Sequence, residues 1–388
     1  MKKKICVVVN SRANYARIKS FLYAVKKSKK FKLQLLTGAS ASLSRFGDLE
    51  KIIKQDKFTI LKRIYSIVDG ENLETMAKST GLSLIELSGI FADIKPDMVV
   101  VIADRFENLA TAIAASYMNI PVIHTQGGEV TGSIDESIRH SITKLSHVHF
   151  PSTKSAYKNV IKMGEHPKTV FNTGCPSMDL AYNVLKDKNK AIDFNKKYYG
   201  IGSEIDFSKP YLVVMQHPVT TEYSLNNDYI KNTFDAVKMT NMQTVWLWPN
   251  IDAGASQISK SLRTYREKGL IKNIRFFKNF EPEDYLRLII NCKCLIGNSS
   301  SAIREGSFLG IPAVNIGNRQ KGREHGKNIL HAVNKTKNIY STIIKQINKK
   351  YIKPEKIFGD GKTAKKMLDI LTKINININK KLYYGNHK

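Results

Sequence analysis

Six consecutive apolar residues, Met98 to Ala103 (MVVVIA), run straight into Asp104, Arg105 and Glu107. An apolar run without alternation belongs to a strand buried on both faces, as in a parallel sheet covered by helices. The pattern recurs along the chain. Ile5–Val9, Leu33–Thr37 and the IPVIH run ending at His124 stand in the first half. YLVVMQHP, TVWLWPN, IRFFKNF and Cys294–Ile296 stand in the second. Helical stretches separate them, so the fold class is α/β. Ligands of such sheets settle in the crevice at the carboxyl ends of the strands. Here those ends carry Asn10-Ser11-Arg12, Asp104, Gln126-Gly127-Gly128-Glu129, His217 and Asn298-Ser299-Ser300-Ser301.

A chain of 388 residues exceeds one ordinary core, which argues for two domains. The two halves echo each other. ENLATAIAASYMNIPVIHTQGGE and SSAIREGSFLGIPAVNIGNRQKGRE each read as helix, Ile-Pro, short strand and glycine-bearing polar loop. The first domain is expected over residues 1–185 and the second over 205–358, with the lysine- and asparagine-rich stretch Lys186–Lys209 as the crossing. Two similar units facing each other leave a cleft between them. Gly38–Gly89 reads as loops and helices without assignable chemistry, and Val170–Thr173 as a strand.

Charge decides the class of partner. The 62 basic and 33 acidic residues leave a net charge of +29, but the lysines are scattered. No RNP signature, zinc finger or basic-region heptad accompanies them. A nucleic-acid partner is therefore not expected; the excess is read as a compositional habit that puts lysine on solvated faces, where it can also help attract an anionic substrate. Cys292 and Cys294 are too close for a CxxC pair, and Cys6 and Cys294 lie in strand runs, so no metal is expected. The apolar run after MKKK is too short for a signal-peptide core, and no run spans a bilayer. The expectation is a cytoplasmic protein without a membrane partner.

Several residues have two readings. Arg12 follows the first strand without GxGxxG; it is either a loop arginine or an anion contact beside a helix N-terminus. Asp135 opens a helix to Leu145 and shares a face with Arg139, which permits an ion pair. Ser299, Ser300 and Ser301 precede a helix and suit a diphosphate better than a simple cap. Glu305 lies in that helix, either on a solvated face or accepting from a ribose. His217 ends a strand and is read as a ligand contact. Arg319 and Arg323, in GNRQKGRE, can clamp phosphate. In GDGKT the glycine spacing of a phosphate loop is missing, so Asp360 is read as a helix cap.

ADRFEN, HTQGGEVTGSIDESIRHSITKLSH, GCPSMD, QHPVTTE, IGNSSSAIRE and GNRQKGRE together resemble the hydrolysing UDP-N-acetylglucosamine 2-epimerase family, from about Ile5 to Glu324. The resemblance implies two Rossmann-like domains facing across a cleft, as in GT-B glycosyltransferases. It also implies a last helix, 362–376, packing back on the first domain. It implies loss of the C2 proton and of UDP to give a glycal, then hydration with C2 inverted, for nonulosonic (sialic-type) acid synthesis. No cofactor is required, the partner is a UDP-sugar, and a homo-oligomer, dimer or tetramer, is expected. Asp104 and Asp135 match the family's catalytic carboxylates and Arg139 the arginine beside the second. Arg12 matches the arginine at the nucleotide end. His217, Ser299, Ser300 and Glu305 match diphosphate and ribose contacts.

One departure stands out. Many members carry Glu where this chain has Gln126, and an amide takes no proton at neutral pH. Asp104, Glu129 or Asp135 then serves as base, or the substrate differs. Gln126 can hydrogen-bond an extra acetamido group, which makes UDP-N,N'-diacetylbacillosamine the alternative to UDP-N-acetylglucosamine. A GT-B glycosyltransferase is the rival within the fold.

Overall fold

The computed structural model describes residues 2–43, 47–70, 72–187, 192–249, 255–267, 269, 272–349 and 351–384. Asn250, at the end of the expected TVWLWPN run, lies outside them, as does part of the lysine-rich crossing.

The first lobe carries β1 (Lys3–Val9), α1 (Arg12–Lys27), β2 (Phe31–Gly38), α2 (Leu49–Gln55), β3 (Ile60–Ile64), α3 (Leu73–Ile94), β4 (Met98–Ile102), α4 (Phe106–Tyr117), β5 (Val122–Thr125), α5 (Asp135–Leu145), β6 (Val148–Phe150) and α6 (Lys154–Lys162). Then come α7 (Ser177–Lys186) and α8 (Phe194–Lys197). The second lobe carries β7 (Gly200–Gly202), β8 (Tyr211–Met215), α9 (Asn226–Met239), β9 (Gln243–Leu247), α10 (Ala255–Glu267), β10 (Ile274–Phe277), α11 (Pro282–Ile290), β11 (Cys294–Gly297), α12 (Ser300–Leu309), β12 (Ala313–Ile316), β13 (Ile329–Ala332) and α13 (Thr336–Ile347). The last helix is α14 (Thr363–Lys373).

The strands form two doubly wound sheets, ordered β3-β2-β1-β4-β5-β6 and β13-β12-β11-β8-β9-β10-β7. All pairs are parallel except β10–β7. Each sheet reverses its winding once, between β1 and β4 in the first and between β8 and β11 in the second. These are the switch points where α/β sheets open a ligand crevice.

The uninterrupted apolar runs are explained by cores on both faces of each sheet. Ile5, Val7 and Val9 join one cluster with Met98, Val100 and Ile102; Cys6 and Val8 join the opposite one with Val99 and Val101. Ala364, Met367 and Leu371 of α14 complete the first of these, so the last helix packs on the first lobe. Met178, Leu180, Ala181 and Val184 of α7 belong instead to a core beneath the second sheet.

Three local expectations are corrected. β3 lies within Gly38–Gly89; its Lys62 and Arg63 are exposed, as suits an edge strand, and they masked its pattern. Val170–Thr173 makes only an isolated bridge, Val170 to His149, rather than a strand. The last helix is not capped by Asp360. The Asp179 carboxylate accepts from the Thr363 and Ala364 amides at 2.7 and 2.8 Å, so the GCPSMD segment holds the N-terminus of α14.

Candidate active site

A cleft opens between the two switch points. Arg12, Asp104, Asp135, His217, Ser299, Ser300, Glu305 and Arg319 all line it, although they come from both lobes. Gln126, Glu129, Arg139 and Arg323 are not among its lining residues; they stand behind the wall, buried.

The first lobe supplies the carboxylates. β4 is followed by Ala103, whose φ of 60° is unusual for a residue with a side chain. Such strained backbone collects at functional sites, and this turn delivers Asp104 into the cleft. Arg139 of α5 bonds the Asp104 carboxylate and also donates to the Glu129 carbonyl. The spacing permits Arg139 to pair with Asp135, but the carboxylate it bonds is Asp104. Burial would raise the Asp104 carboxyl, but Arg139, Arg17 and Arg323 outweigh it and hold the group well below the usual range. Asp135, in the first turn of α5, stands 3.7 Å from Arg319 with 30% of its side chain exposed.

The second lobe supplies an anion cradle. Gly297 ends β11 at φ 129°, and a Cβ there would collide with the Met215 carbonyl, so only glycine lets β11 turn past β8. Asn298 then clamps the end of β8. It accepts from the His217 amide at 2.7 Å and donates to the His217 carbonyl at 2.8 Å. Ser299 caps α12 by accepting from the Ser301 amide, and Ser300 opens the helix. The α12 amides thus face the cleft where negative charge is favoured.

Behind the wall, the lobes are joined by buried charge. Glu129 accepts from Arg304 at 2.6 Å and from Arg323 Nε at 3.0 Å. Arg304 also donates to Gln126. Burial alone would raise the Glu129 carboxyl, yet Arg304, Arg323 and Arg139 hold it at about 2. Arg323 continues to Gln320 at 2.6 Å, and Gln320 to the Asn298 carbonyl at 2.9 Å. A chain of bonds therefore runs from the Glu129 loop to the Ser299 turn. Gly132 permits this approach, because a Cβ there would strike the Asn318 carbonyl.

Three participants were not singled out from the sequence. Arg17 lines the cleft and donates across it to Ser300 Oγ at 2.6 Å. Its signal was the single helical turn and a half between it and Arg12. Arg304 sits beside Glu305 in NSSSAIRE and is wholly buried, which no local pattern indicates. Tyr285 also lines the cleft and donates to Ser301 Oγ at 2.8 Å. Among the described residues no three of His, Cys, Asp and Glu gather as metal ligands, and no helix is long and apolar enough to cross a membrane.

The arrangement can hold a diphosphate against α12 and arginines while placing two carboxylates at its far side. Comparison with known proteins agrees with that chemistry. Residues 23–372 match the family model described as UDP-N-acetylglucosamine 2-epimerase. The chain is 31% identical over 377 residues to the UDP-N,N'-diacetylbacillosamine 2-epimerase (hydrolyzing) of Legionella pneumophila, covering 97% of each chain. It is 36% identical over 332 residues to the GDP/UDP-N,N'-diacetylbacillosamine 2-epimerase (hydrolyzing) of Campylobacter jejuni, covering 85% of this chain and 84% of that one. In fold it resembles the Methanocaldococcus jannaschii UDP-GlcNAc 2-epimerase crystallised with UDP-GlcNAc and UDP. The TM-score is 0.77 at 18% identity, over 95% of this chain and 99% of that one.

Proposed function

The chain belongs to the UDP-N-acetylglucosamine 2-epimerase family, and from that premise we propose that it is a hydrolysing 2-epimerase. It converts a UDP-linked 2-acetamido sugar of gluco configuration into UDP and the free manno-configured sugar. The observation that carries this reading is the facing of Asp104 and Asp135 across one cleft from the Ser299–Ser300 turn.

In the first half-reaction a carboxylate takes the C2 proton as the C1–O bond breaks, and UDP leaves with the bonding pair. The product is a 2-acetamidoglycal. Asp135 suits the base, because Asp104 is held ionised by Arg139 and is a poor acceptor while that pair stands. The α12 amides, Arg17, Arg12 and Arg319 stabilise the charge on the departing diphosphate. In the second half-reaction water adds to C1. The proton it loses passes to solvent, and solvent delivers one to the opposite face of C2; Asp104, held ionised by Arg139, orients that water. The proton on Asp135 leaves to solvent with the nucleotide.

His217 and Glu305 serve the nucleotide, with Ser299 and Ser300. Glu129, Arg139 and Arg323 act through other residues, since they do not line the cleft. Both hydrolysing relatives are named for N,N'-diacetylbacillosamine, so we place that sugar first and N-acetylglucosamine, the sequence-based expectation, second. The free product would feed nonulosonic acid synthesis in the cytoplasm. Incubation with each UDP-sugar, followed by NMR, tests the reading. Free manno sugar with stoichiometric UDP supports it. A sugar transferred to an acceptor would indicate a glycosyltransferase instead.

A further inference from the structure

A second, smaller cavity adjoins the cleft and shares Arg105, Asp135 and Arg319 with it. Its remaining wall is mostly apolar: Met76 from α3, Phe106 from α4, Ile134 and Ile138 around the start of α5, and Pro218 from the second lobe. Ser133 and Thr220 add hydroxyls. The Ser133 hydroxyl oxygen is buried and makes no hydrogen bond, although buried polar atoms ordinarily find a partner.

Its position follows from the chemistry of the ligand. This step rests on the proposed reaction. The sugar C1 is bonded to the diphosphate at the Ser299–Ser301 turn, and C2 lies beside C1, at the carboxylates. In a pyranose C4 is across the ring from C1. A sugar held in this way can place its C4–C6 edge past Asp135 and Arg319, where the second cavity begins.

We infer that this side cavity receives the C4–C6 edge of the sugar and selects a 4-acetamido-6-deoxy sugar over one with hydroxyls at C4 and C6. A C6 methyl fits a wall of Met76, Phe106, Ile134 and Pro218. A C6 hydroxyl set against those apolar side chains would give up water contacts that they do not replace. The 4-acetamido group offers an N–H and a carbonyl, and the orphaned Ser133 hydroxyl can pair with either.

The test compares kcat/KM for UDP-N,N'-diacetylbacillosamine and UDP-N-acetylglucosamine, using the full chain, its Ser133→Ala variant and its Ile134→Asn variant. UDP affinity, measured by calorimetry, checks that each variant retains the nucleotide site. The wild type should favour the diacetamido sugar by about 10-fold or more, and each variant should narrow that ratio by roughly 5- to 10-fold. Turnover of both sugars with no preference, or with N-acetylglucosamine preferred, overturns the inference and leaves the proposed reaction standing. So does an unchanged ratio in both variants. Consumption of neither sugar by the wild type removes the proposed reaction itself, and the inference with it.

Discussion

Arg139 reaches across 35 positions of sequence to bond the Asp104 carboxylate, and does not pair with Asp135 one turn away on its own helix. Asp104 is thereby fixed in place and held ionised, while Asp135 remains at the mouth of the cleft beside Arg319. Two carboxylates in one cleft are thus given different environments, as acid–base pairs require. Replacing Asp104 with Asn keeps the shape and removes the charge. Turnover should fall by at least about 100-fold, whereas UDP affinity, carried in this account by the α12 turn and the arginines around it, should stay within roughly threefold. Equal loss of both would mean that Asp104 shapes the nucleotide site.

Gln126 bonds Arg304 and does not line the cleft. That removes the reason for reading it as a contact to an extra acetamido group. Gln126→Glu should therefore leave the ratio of kcat/KM between the two candidate sugars within about threefold. A switch of preference in competition assays would return Gln126 to the substrate.

Much of this site was legible in the sequence because strand ends are local. The apolar runs stop at Asp104, Gln126, His217 and Asn298, and a parallel sheet collects such ends at one edge. What was not legible depends on contacts between distant segments. Nothing near Arg304 indicates that α12 turns it toward Glu129, or that Asp179 would cap a helix 184 residues later. β3 was hidden because an edge strand with exposed Lys62 and Arg63 need not be apolar on both faces.

The Arg304–Glu129–Arg323 cluster joins the lobes in a buried setting. Removing one partner of such a cluster strands the others. Glu129→Ala, which strands both arginines, should cost about 3–5 kcal/mol, read as a large fall in Tm. The triply substituted Arg304→Met, Glu129→Leu, Arg323→Met chain should melt closer to wild type, because it leaves none of the three buried charges without its partner.

Acid should destabilise the protein in two stages. Burial holds His124 at about 3, below its ordinary 6.5, so the unfolded chain binds the extra proton first. Its contribution is complete above pH 6.5 and is lost as pH falls toward 3. Glu129, at about 2 against an ordinary 4.5, contributes above pH 4.5 and loses that contribution as pH falls toward 2. Tm should therefore decline from below pH 6.5 and more steeply below 4.5. Glu129→Gln should remove part of the second stage alone.

Asp179→Ala deprives the Thr363 and Ala364 amides of their acceptor. The cost should be about 1–2 kcal/mol, and hydrogen exchange should speed up in α14 before the rest of the first lobe.

The reaction itself is tested most directly in deuterated water. A UDP-linked 2-acetamido sugar incubated with the protein and followed by proton NMR should give UDP and free manno-configured sugar in equal amounts, with deuterium at C2. Free gluco-configured sugar that keeps its C2 hydrogen, or a UDP-linked epimer without free UDP, would contradict hydrolytic 2-epimerisation through a glycal.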